Sequence, residues 1–553
     1  MRLMPSGVRL LGWARPYSTG KLRADLLAGL TMAAIVVPQA MAYALLAGLP
    51  PEAGLYAATL PVVVYAVLGT SLHLSVGPVA LVSLLTLTAL SNSAPPGREL
   101  ETAGLLALLV GAAHVLLGFA RLGFLVNYIS RPVLVGFIAA AAVIIAASQL
   151  SALTGVDAER AESFTEIIDQ FVSNLSTINW ATLTLGVAAV AFLLVWRRRR
   201  RGVPGPLLVA VSATLVVALA SLDQRRGVDV VGEIPSGLPQ PALEGLTVGL
   251  ALELLPAAIV ITLVGYLESI VIAKTYAQRL DYRLRPNQEM VALGFSNAGA
   301  GVVGGYPVSG SFSRTAANVQ AGAHTPLSGL VAAGIVLVVL VALTPLLEPL
   351  PDAALAAIII VAVSSLIDLD AVRRIWALHR RDFVMLALAF LLTLGLGVEV
   401  GLVLAVAISL ATLGTAGLRS RVVNTSSGLP SSVASVRIDG PLTFANQRGL
   451  RRALARIVDE RGDGTLRAVV VDLSRARDVD LSAAQALSDL VDDYAESFIR
   501  VHLAAPNDRV LHLLEGSGLW AGLGSAAHLE VSTARRSAVS ESGRADSPRG
   551  GGS

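Results

Sequence analysis

The 553-residue sequence contains no cysteine, which excludes disulfides, thiolate metal sites and cysteine nucleophiles. Charge is scarce too: 15% of residues are Asp, Glu, Lys or Arg, against about 25% in a soluble chain. Lysine is nearly missing, with Lys21 and Lys274 alone among 42 basic residues. Together with abundant Ala, that bias suggests a GC-rich bacterial genome. The formal net charge of +3 is too small to argue for nucleic acid. There is no nucleotide-binding P-loop, zinc-protease helix signature or EF-hand pattern, so transport powered by hydrolysis within this chain lacks support. No cofactor and no metal are expected. The basic N-terminus, Met1 to Arg23, precedes no short apolar stretch with a small-residue cleavage site, so the first apolar block reads as a permanent span.

What is present is apolar. Hydrophobic residues make up 54% of the chain and the mean hydropathy is +0.69. Blocks of about 20 apolar residues recur from Leu26 to Leu418, the signature of membrane-spanning helices. Fourteen spans are expected, at 25–47, 53–69, 79–91, 102–119, 131–151, 181–196, 204–221, 250–274, 287–303, 311–322, 326–346, 352–367, 382–396 and 399–417. With the N-terminus inside, the cytoplasmic loops collect Arg121, Arg131, Arg197 to Arg201, Lys274, Arg279, Arg373 and Arg374. The outside loop from Asp157 to Asp169 is acidic. This is the positive-inside distribution, and an even number of spans leaves both termini in the cytoplasm of a plasma (inner) membrane.

Two spans are too short. Those starting near Val79 and Ser311 have about a dozen apolar residues, against ~20 needed to cross. Stretches that cannot continue a helix precede them: Leu74-Ser75-Val76-Gly77-Pro78 and Gly304-Gly305-Tyr306-Pro307-Val308-Ser309-Gly310. Each short span is the third of its half. Seven spans reverse the direction of insertion, so the halves form a seven-plus-seven inverted repeat about an in-plane axis. Paired broken helices at matching positions point to a transporter's midplane binding site.

Glu268 lies deep in the eighth span, where a carboxylate costs ~2.5–3.5 kcal/mol on insertion scales. It suits a group that takes up and releases a proton; the bland alternative is a structural carboxylate between helices. Arg314 opens the tenth span within Ser309-Gly310-Ser311-Phe312-Ser313-Arg314. Free N–H groups at a helix start attract anions, and Ser311 and Ser313 add donors. A cytoplasmic-side carboxylate or a headgroup is the competing partner for Arg314. The matching start of the third span offers Ser75, Gly77 and the backbone N–H groups of Val79 and Ala80, after Pro78. Gln39, in the first-half position corresponding to Glu268, follows Pro38 in a helix expected to be interrupted there. Gln39 and Tyr43 read as site wall or as ordinary interhelical bonding. His114 reads as a packing residue, and the small residues from Gly294 to Gly305 as close helix packing.

From Val433 the pattern changes. Strands are expected at Val433 to Ile438, Leu466 to Leu473 and Ile499 to Ala504, with helices at Gln447 to Asp459 and Ala483 to Tyr494. Alternation of this kind implies a small α/β domain. Ala534 to Ser553 is rich in Ser, Gly and Arg and is expected to be disordered. The division is therefore a cytoplasmic segment at 1–24, a membrane domain at 25–420, a soluble domain at 421–533 and a tail at 534–553.

At Pro38-Gln39-Ala40-Met41-Ala42-Tyr43, Gly54-Leu55-Tyr56, Ser75-Val76-Gly77-Pro78, Leu267-Glu268-Ser269-Ile270 and Gly310-Ser311-Phe312-Ser313-Arg314-Thr315 the chain resembles the sulfate permease (SulP) family of anion transporters. The resemblance implies core and gate domains moving against each other, a homodimer, and an anion held near Gln39 between the starts of the third and tenth spans. It implies sulfate, bicarbonate or a small dicarboxylate as substrate. Glu at position 268 resembles the proton-coupled members, whereas sodium-coupled carriers tend to have Asp. The soluble domain resembles a STAS domain at Val469-Val470-Val471-Asp472-Leu473-Ser474 and Val479-Asp480-Leu481-Ser482-Ala483. Its soluble relatives place a phosphorylatable Ser directly after the Asp, where this chain has Leu481 and Ser482 is offset, which leaves trafficking, dimer support or ligand sensing as its role, with a cytoplasmic partner as a further expectation. The reading favours proton symport of a small anion. A passive exchanger or channel of the same fold, or a membrane sensor acting through the STAS domain, are the other classes. A nucleobase carrier would not call for Arg314, and no nucleophile–base pair suggests an enzyme.

Overall fold

The computed structural model describes residues 13, 18–123, 130–157, 163–199, 204–235, 237, 247–280, 282, 284–378, 380–398, 400–401, 403–404, 407–408, 421–442, 450, 453–454, 456, 466–476, 479–496 and 499–545. They fall into two compact units. One comprises residues 1–126, 138–367 and 391–403, and the other 127–137, 368–390 and 404–553.

The first unit is helical. Helix α1 (Thr19–Leu46) starts at Ser18, whose hydroxyl accepts from Lys21 N, and runs 28 residues. It passes through Pro38 without a break, so the expected interruption there is corrected. Proline removes one backbone donor, but the surrounding helical bonds carry the chain across it. The second span is α2 (Pro51–Ala57) plus α3 (Leu60–Leu68), followed by α4 (Ala80–Ser93) and α5 (Glu99–Phe119). Next come α6 (Arg131–Ser148) with α7 (Leu150–Thr154), the short α8 (Phe164–Ser173), α9 (Trp180–Arg199), α10 (Gly205–Ala220) and α11 (Leu222–Arg226).

The second half opens with α12 (Val248–Arg279), capped by the Thr247 hydroxyl on Leu250 N, and α13 (Pro286–Val302). It continues with α14 (Phe312–Gln320), α15 (Leu327–Val338) and α16 (Asp352–Val363); α17 (Leu369–Leu378) and the first part of α18 (Arg380–Leu396) are counted with the second unit. Among the described residues eight helices are long and apolar enough to cross a bilayer, and α4 and α10 are shorter apolar ones. Helices α13, α14 and α18 stand at three further expected spans. The last, 399–417, lies mostly outside the described residues.

Both expected short spans are short. At 1.5 Å per residue, α4 reaches roughly 21 Å and α14 roughly 14 Å, against about 30 Å of hydrocarbon. Close packing is built elsewhere, where α5 meets α13: a Cβ on Gly111 would lie 2.7 Å from the Gly294 oxygen, and one on Gly301 2.5 Å from the Gly104 oxygen. His114, also on α5, is buried against α12 with its ring edge-on to Tyr266, and its Nδ1 lies 3.0 Å from the Val110 oxygen.

The second unit contains a five-stranded sheet ordered β3 (Arg421–Asn424), β4 (Val433–Asp439), β5 (Ala468–Asp472), β6 (Arg500–Ala504) and β7 (Ala527–His528). The first pair is antiparallel and the rest parallel. Strand β5 is buried at every residue because both faces are covered. One face packs Val436, Val469 and Leu503 with α19 (Leu481–Glu496) and α20 (Asp508–Gly516). Asp480 begins α19, its carboxylate accepting from Ala483 N at 2.7 Å. A one-turn helix, α21 (Leu519–Leu523), follows α20.

The other face, Val433, Ala468, Val470 and Ala504, is sealed by α22 (Val531–Ala545) through Ala534 and Ala538. That corrects the disorder expected from Ala534: small residues at helical i, i+4 spacing fit flat against a sheet, and the helix continues to Ala545. Residues 546–553, and most of the helix expected over 447–459, lie outside the described residues.

Candidate functional site

Two residue pairs join the halves of the membrane unit. Strands β1 (Val76–Gly77) and β2 (Ser309–Gly310) run antiparallel, Val76 opposite Gly310 and Gly77 opposite Ser309. Ser311 N extends the ladder to Ser75 O at 2.9 Å, and Ser75 N donates to the Thr315 hydroxyl at 3.0 Å. Helices α4 and α14 each begin within three residues of this bridge, so both starts converge on it. Glycine is required at 77, where φ is +152°.

The two starts are finished differently. Helix α14 is capped by Ser311, whose hydroxyl accepts from Arg314 N. Helix α4 follows Val79 with no side-chain cap, so the first N–H groups of that turn, Ala80 among them, are left for another acceptor. Val79 and Ala80 are buried, as is Ser311; Ser75 is half-buried and Ser313 is exposed, its hydroxyl 3.3 Å from that of Ser311.

Arg314 is 1% exposed and crosses the bridge. Its Nη1 donates to the Pro78 carbonyl at 2.6 Å and its Nε to the Ser75 hydroxyl at 3.4 Å, while Nη2 is buried without a partner. Neither a cytoplasmic-side carboxylate nor a surface position accounts for this side chain. Glu268 interacts with Arg314 and Tyr43 through space but forms no ion pair among the described residues, and its Oε2 is likewise buried and unpartnered. Gln39, 5% exposed, has an unpartnered Oε1, and Tyr43 is buried beside this group. Buried polar atoms without partners are rare and costly; here a carboxylate oxygen, a guanidinium nitrogen and an amide oxygen share the feature. The donor set of Arg314, backbone N–H groups and hydroxyls fits compact negative oxygens, with no metal required.

A cavity of about 30 Å³ touches Arg314, Ser75, Gly77, Pro78 and Asn318. A larger one, about 600 Å³, reaches Ala42, Leu45, Leu87, Gln149, Asp229 and Asp352. Gln39, Tyr43 and Glu268 line neither.

Several supporting residues were not foreseen. Asn297 holds Val308 by both backbone groups, at 2.8 and 3.0 Å. The Tyr306 and Ser83 hydroxyls pair at 3.1 Å. Asp25, fully buried in α1, accepts from His324 N, Thr325 N and the Thr325 hydroxyl, fastening the turn after α14. Glu289 does the same for the chain entering β1, bonding Tyr65, Thr70 and Ser71. The only sequence signal for these is a carboxylate or amide in apolar surroundings, which does not say what it binds.

The sulfate permease family profile matches residues 22–389 and the STAS domain profile residues 429–529. The chain is 38% identical over 504 residues to a probable sulfate transporter of Mycobacterium tuberculosis, covering 87% of this chain and 89% of that one. It is 36% identical over 542 residues to probable sulfate transporter 4.2 of Arabidopsis thaliana, covering 92% and 80%. Among solved structures it is similar to the murine Slc26a9 anion transporter in the inward-facing state, with TM-score 0.70, 24% identity and coverage of 97% and 96%. The transmembrane domain of the cyanobacterial bicarbonate transporter BicA gives TM-score 0.60 at 22% identity, covering 71% and 98%.

Proposed function

Because the chain belongs to the sulfate permease family, with a STAS domain after its membrane part, we propose that it carries a small oxyanion, sulfate first among the candidates, into the cytoplasm by proton symport. The observation that carries this reading is the Arg314 guanidinium, buried across the β1–β2 bridge with Nη2 unpartnered. The Arabidopsis and Mycobacterium relatives, named as sulfate transporters, favour sulfate over bicarbonate.

In this reading the anion accepts from Arg314 Nη2, from N–H groups at the starts of α4 and α14 around Val79 and Ala80, and from Ser75, Ser311 or Ser313 hydroxyls. Gly77 keeps the backbone low enough for the approach, and Gln39 and Tyr43 form the opposite wall. Glu268 takes the proton: when neutral it stops repelling the anion, so the two load together, and loss of the proton inside weakens the hold. The protein works as a homodimer in a bacterial plasma membrane, both termini cytoplasmic, with a membrane domain of residues 25–420. The STAS domain beginning at 421 supports the dimer or receives a cytoplasmic partner.

Purified protein in liposomes, loaded with an imposed inside-alkaline pH gradient, tests this with labelled sulfate, bicarbonate and oxalate. Gradient-driven sulfate accumulation that Glu268→Gln abolishes is the expected result. Flux that ignores the gradient would make the protein an exchanger or channel, and absence of flux for every anion would leave a sensor.

A further inference from the structure

An inverted repeat presents two near-equivalent first helices, α1 and α12, yet among the described residues only α12 of the two bonds the bridge through a side chain. Ser269, 1% exposed on α12 beside Glu268, accepts from Gly310 N at 2.8 Å. Its hydroxyl lies 2.7 Å from the Gly265 oxygen and 3.0 Å from the Ser309 hydroxyl, which itself lies 2.8 Å from the Gly265 oxygen. Two hydroxyl protons serve those three contacts, and in either arrangement the Ser269 oxygen remains the acceptor for Gly310 N–H. The fit admits nothing larger on β2: a Cβ at Gly310 would lie 3.0 Å from Ser269 Oγ and 2.8 Å from Leu74.

In the first half the residue matching Ser269 is Ala40, after Gln39, and it has no hydroxyl to offer. Among the described residues α1 makes no side-chain hydrogen bond to Val76 or Gly77. Strand β1 is held instead by β2 and the start of α14, through Ser311 N and Thr315. The bridge is therefore fastened to α12 and not to α1.

We infer that Ser269 is a positioning residue: it fixes β2, and through the ladder β1, to the helix that bears Glu268, so that a change at Glu268 reaches both helix starts from the second half alone. This rests on the reading of Glu268 as proton carrier. The physical reason is one of distance along the chain. A shift of α12 that accommodates a neutral or charged Glu268 moves the adjoining Ser269 with it. The Gly310 amide must follow or lose its acceptor, a loss that costs a buried donor its desolvation. Because Gly310 pairs with Val76, the first-half strand moves too. The arrangement gives a symmetric scaffold a one-sided connection.

The test compares wild type, Ser269→Ala, Thr262→Val and Glu268→Gln in liposomes, reading sulfate KM and Vmax with and without a pH gradient. Thr262 is equally buried on α12, but its hydroxyl only back-bonds to the Ala258 oxygen at 2.6 Å, so its variant controls for loss of a helix hydroxyl. Ser269→Ala is expected to raise KM by roughly fivefold or more and to flatten the effect of the gradient on KM, with Thr262→Val like wild type. Ser269→Ala indistinguishable from Thr262→Val in both readouts overturns the inference, even where Glu268→Gln abolishes coupling. Glu268→Gln with full gradient-driven uptake removes the proton reading instead, and the KM of Ser269→Ala still judges the fastening. Should Ser269→Ala fail to fold, hydrogen exchange in residues 305–313 decides between wild type and Glu268→Gln: altered protection of this segment supports the link, identical protection refutes it.

Discussion

Arg314 donates from Nη1 to the carbonyl oxygen of Pro78 at 2.6 Å, so a cation from the second half of the repeat is tied to the residue that precedes the broken helix of the first. The bond leaves the guanidinium one free edge, and a planar group with several donors is needed to do both jobs. Lysine carries its three donors on one nitrogen, which cannot reach Pro78, Ser75 and the site from the separate positions that Nη1, Nε and Nη2 occupy. Arg314→Lys is therefore expected to raise the KM for sulfate about tenfold, near 1.4 kcal/mol of binding, and Arg314→Ala to abolish measurable uptake. Initial rates in proteoliposomes over a range of sulfate concentrations check both.

Gly77→Ala fails for a local reason. Its φ of +152° is one that residues with a Cβ rarely adopt, and the added carbon would sit 3.3 Å from Arg314 Nη2. Strain of roughly 1–3 kcal/mol and a crowded guanidinium predict lower sulfate affinity with little loss of folded protein. Isothermal titration and size-exclusion chromatography on the same preparation separate the two effects.

Asp25 supports the turn after α14 with three accepted bonds and no exposure. Asp25→Ala strands two backbone donors and a hydroxyl, each worth ~1–3 kcal/mol when left buried. The midpoint of thermal unfolding in detergent should fall by roughly 5 °C or more, while Asp25→Asn, which keeps one acceptor oxygen, falls less. Equal midpoints for wild type and Asp25→Ala would show that the turn holds without it.

In the STAS domain His502 is fully buried, its Nδ1 3.0 Å from His528 Nε2. Burial, with His528 and Arg500 close by, pushes its pKa down to about 4. An unfolded imidazole titrates near 6.5, so between these values the unfolded state binds the more protons and stability falls as pH falls. Glu541, 3.5 Å from Nε2, opposes this only in part. Hydrogen exchange of full-length protein, corrected for intrinsic rates, should show the 499–504 and 531–545 segments losing protection from pH 7 to pH 5, and His502→Gln should flatten that dependence.

Much of the membrane fold was legible because lipid imposes a length rule that soluble interiors do not. The short spans announced themselves by falling below it, Glu268 by the cost of charge at depth, and Arg314 by its place at the start of a broken helix. Ser269 was invisible for the opposite reason: a serine in an apolar helix is cheap and usually bonds its own backbone, and its partner Gly310 lies 41 positions away. Asp25 and Glu289 stand near the starts of their helices, and nothing in the neighbouring residues names the distant loops they bond. Pro38 misled because proline marks a missing donor, not an obligatory break. The final helix was lost in an average, since Ala534 and Ala538 keep helical spacing inside text otherwise poor in apolar residues.

The placement of that final helix has a practical side. It covers Val433, Ala468, Val470 and Ala504, so a stop codon or a reporter fused just after Ser532 would uncover an oily sheet and invite clumping. Reporters attached beyond Ala545 should leave the domain intact, and natural variation in chain length is better tolerated past that point than before it.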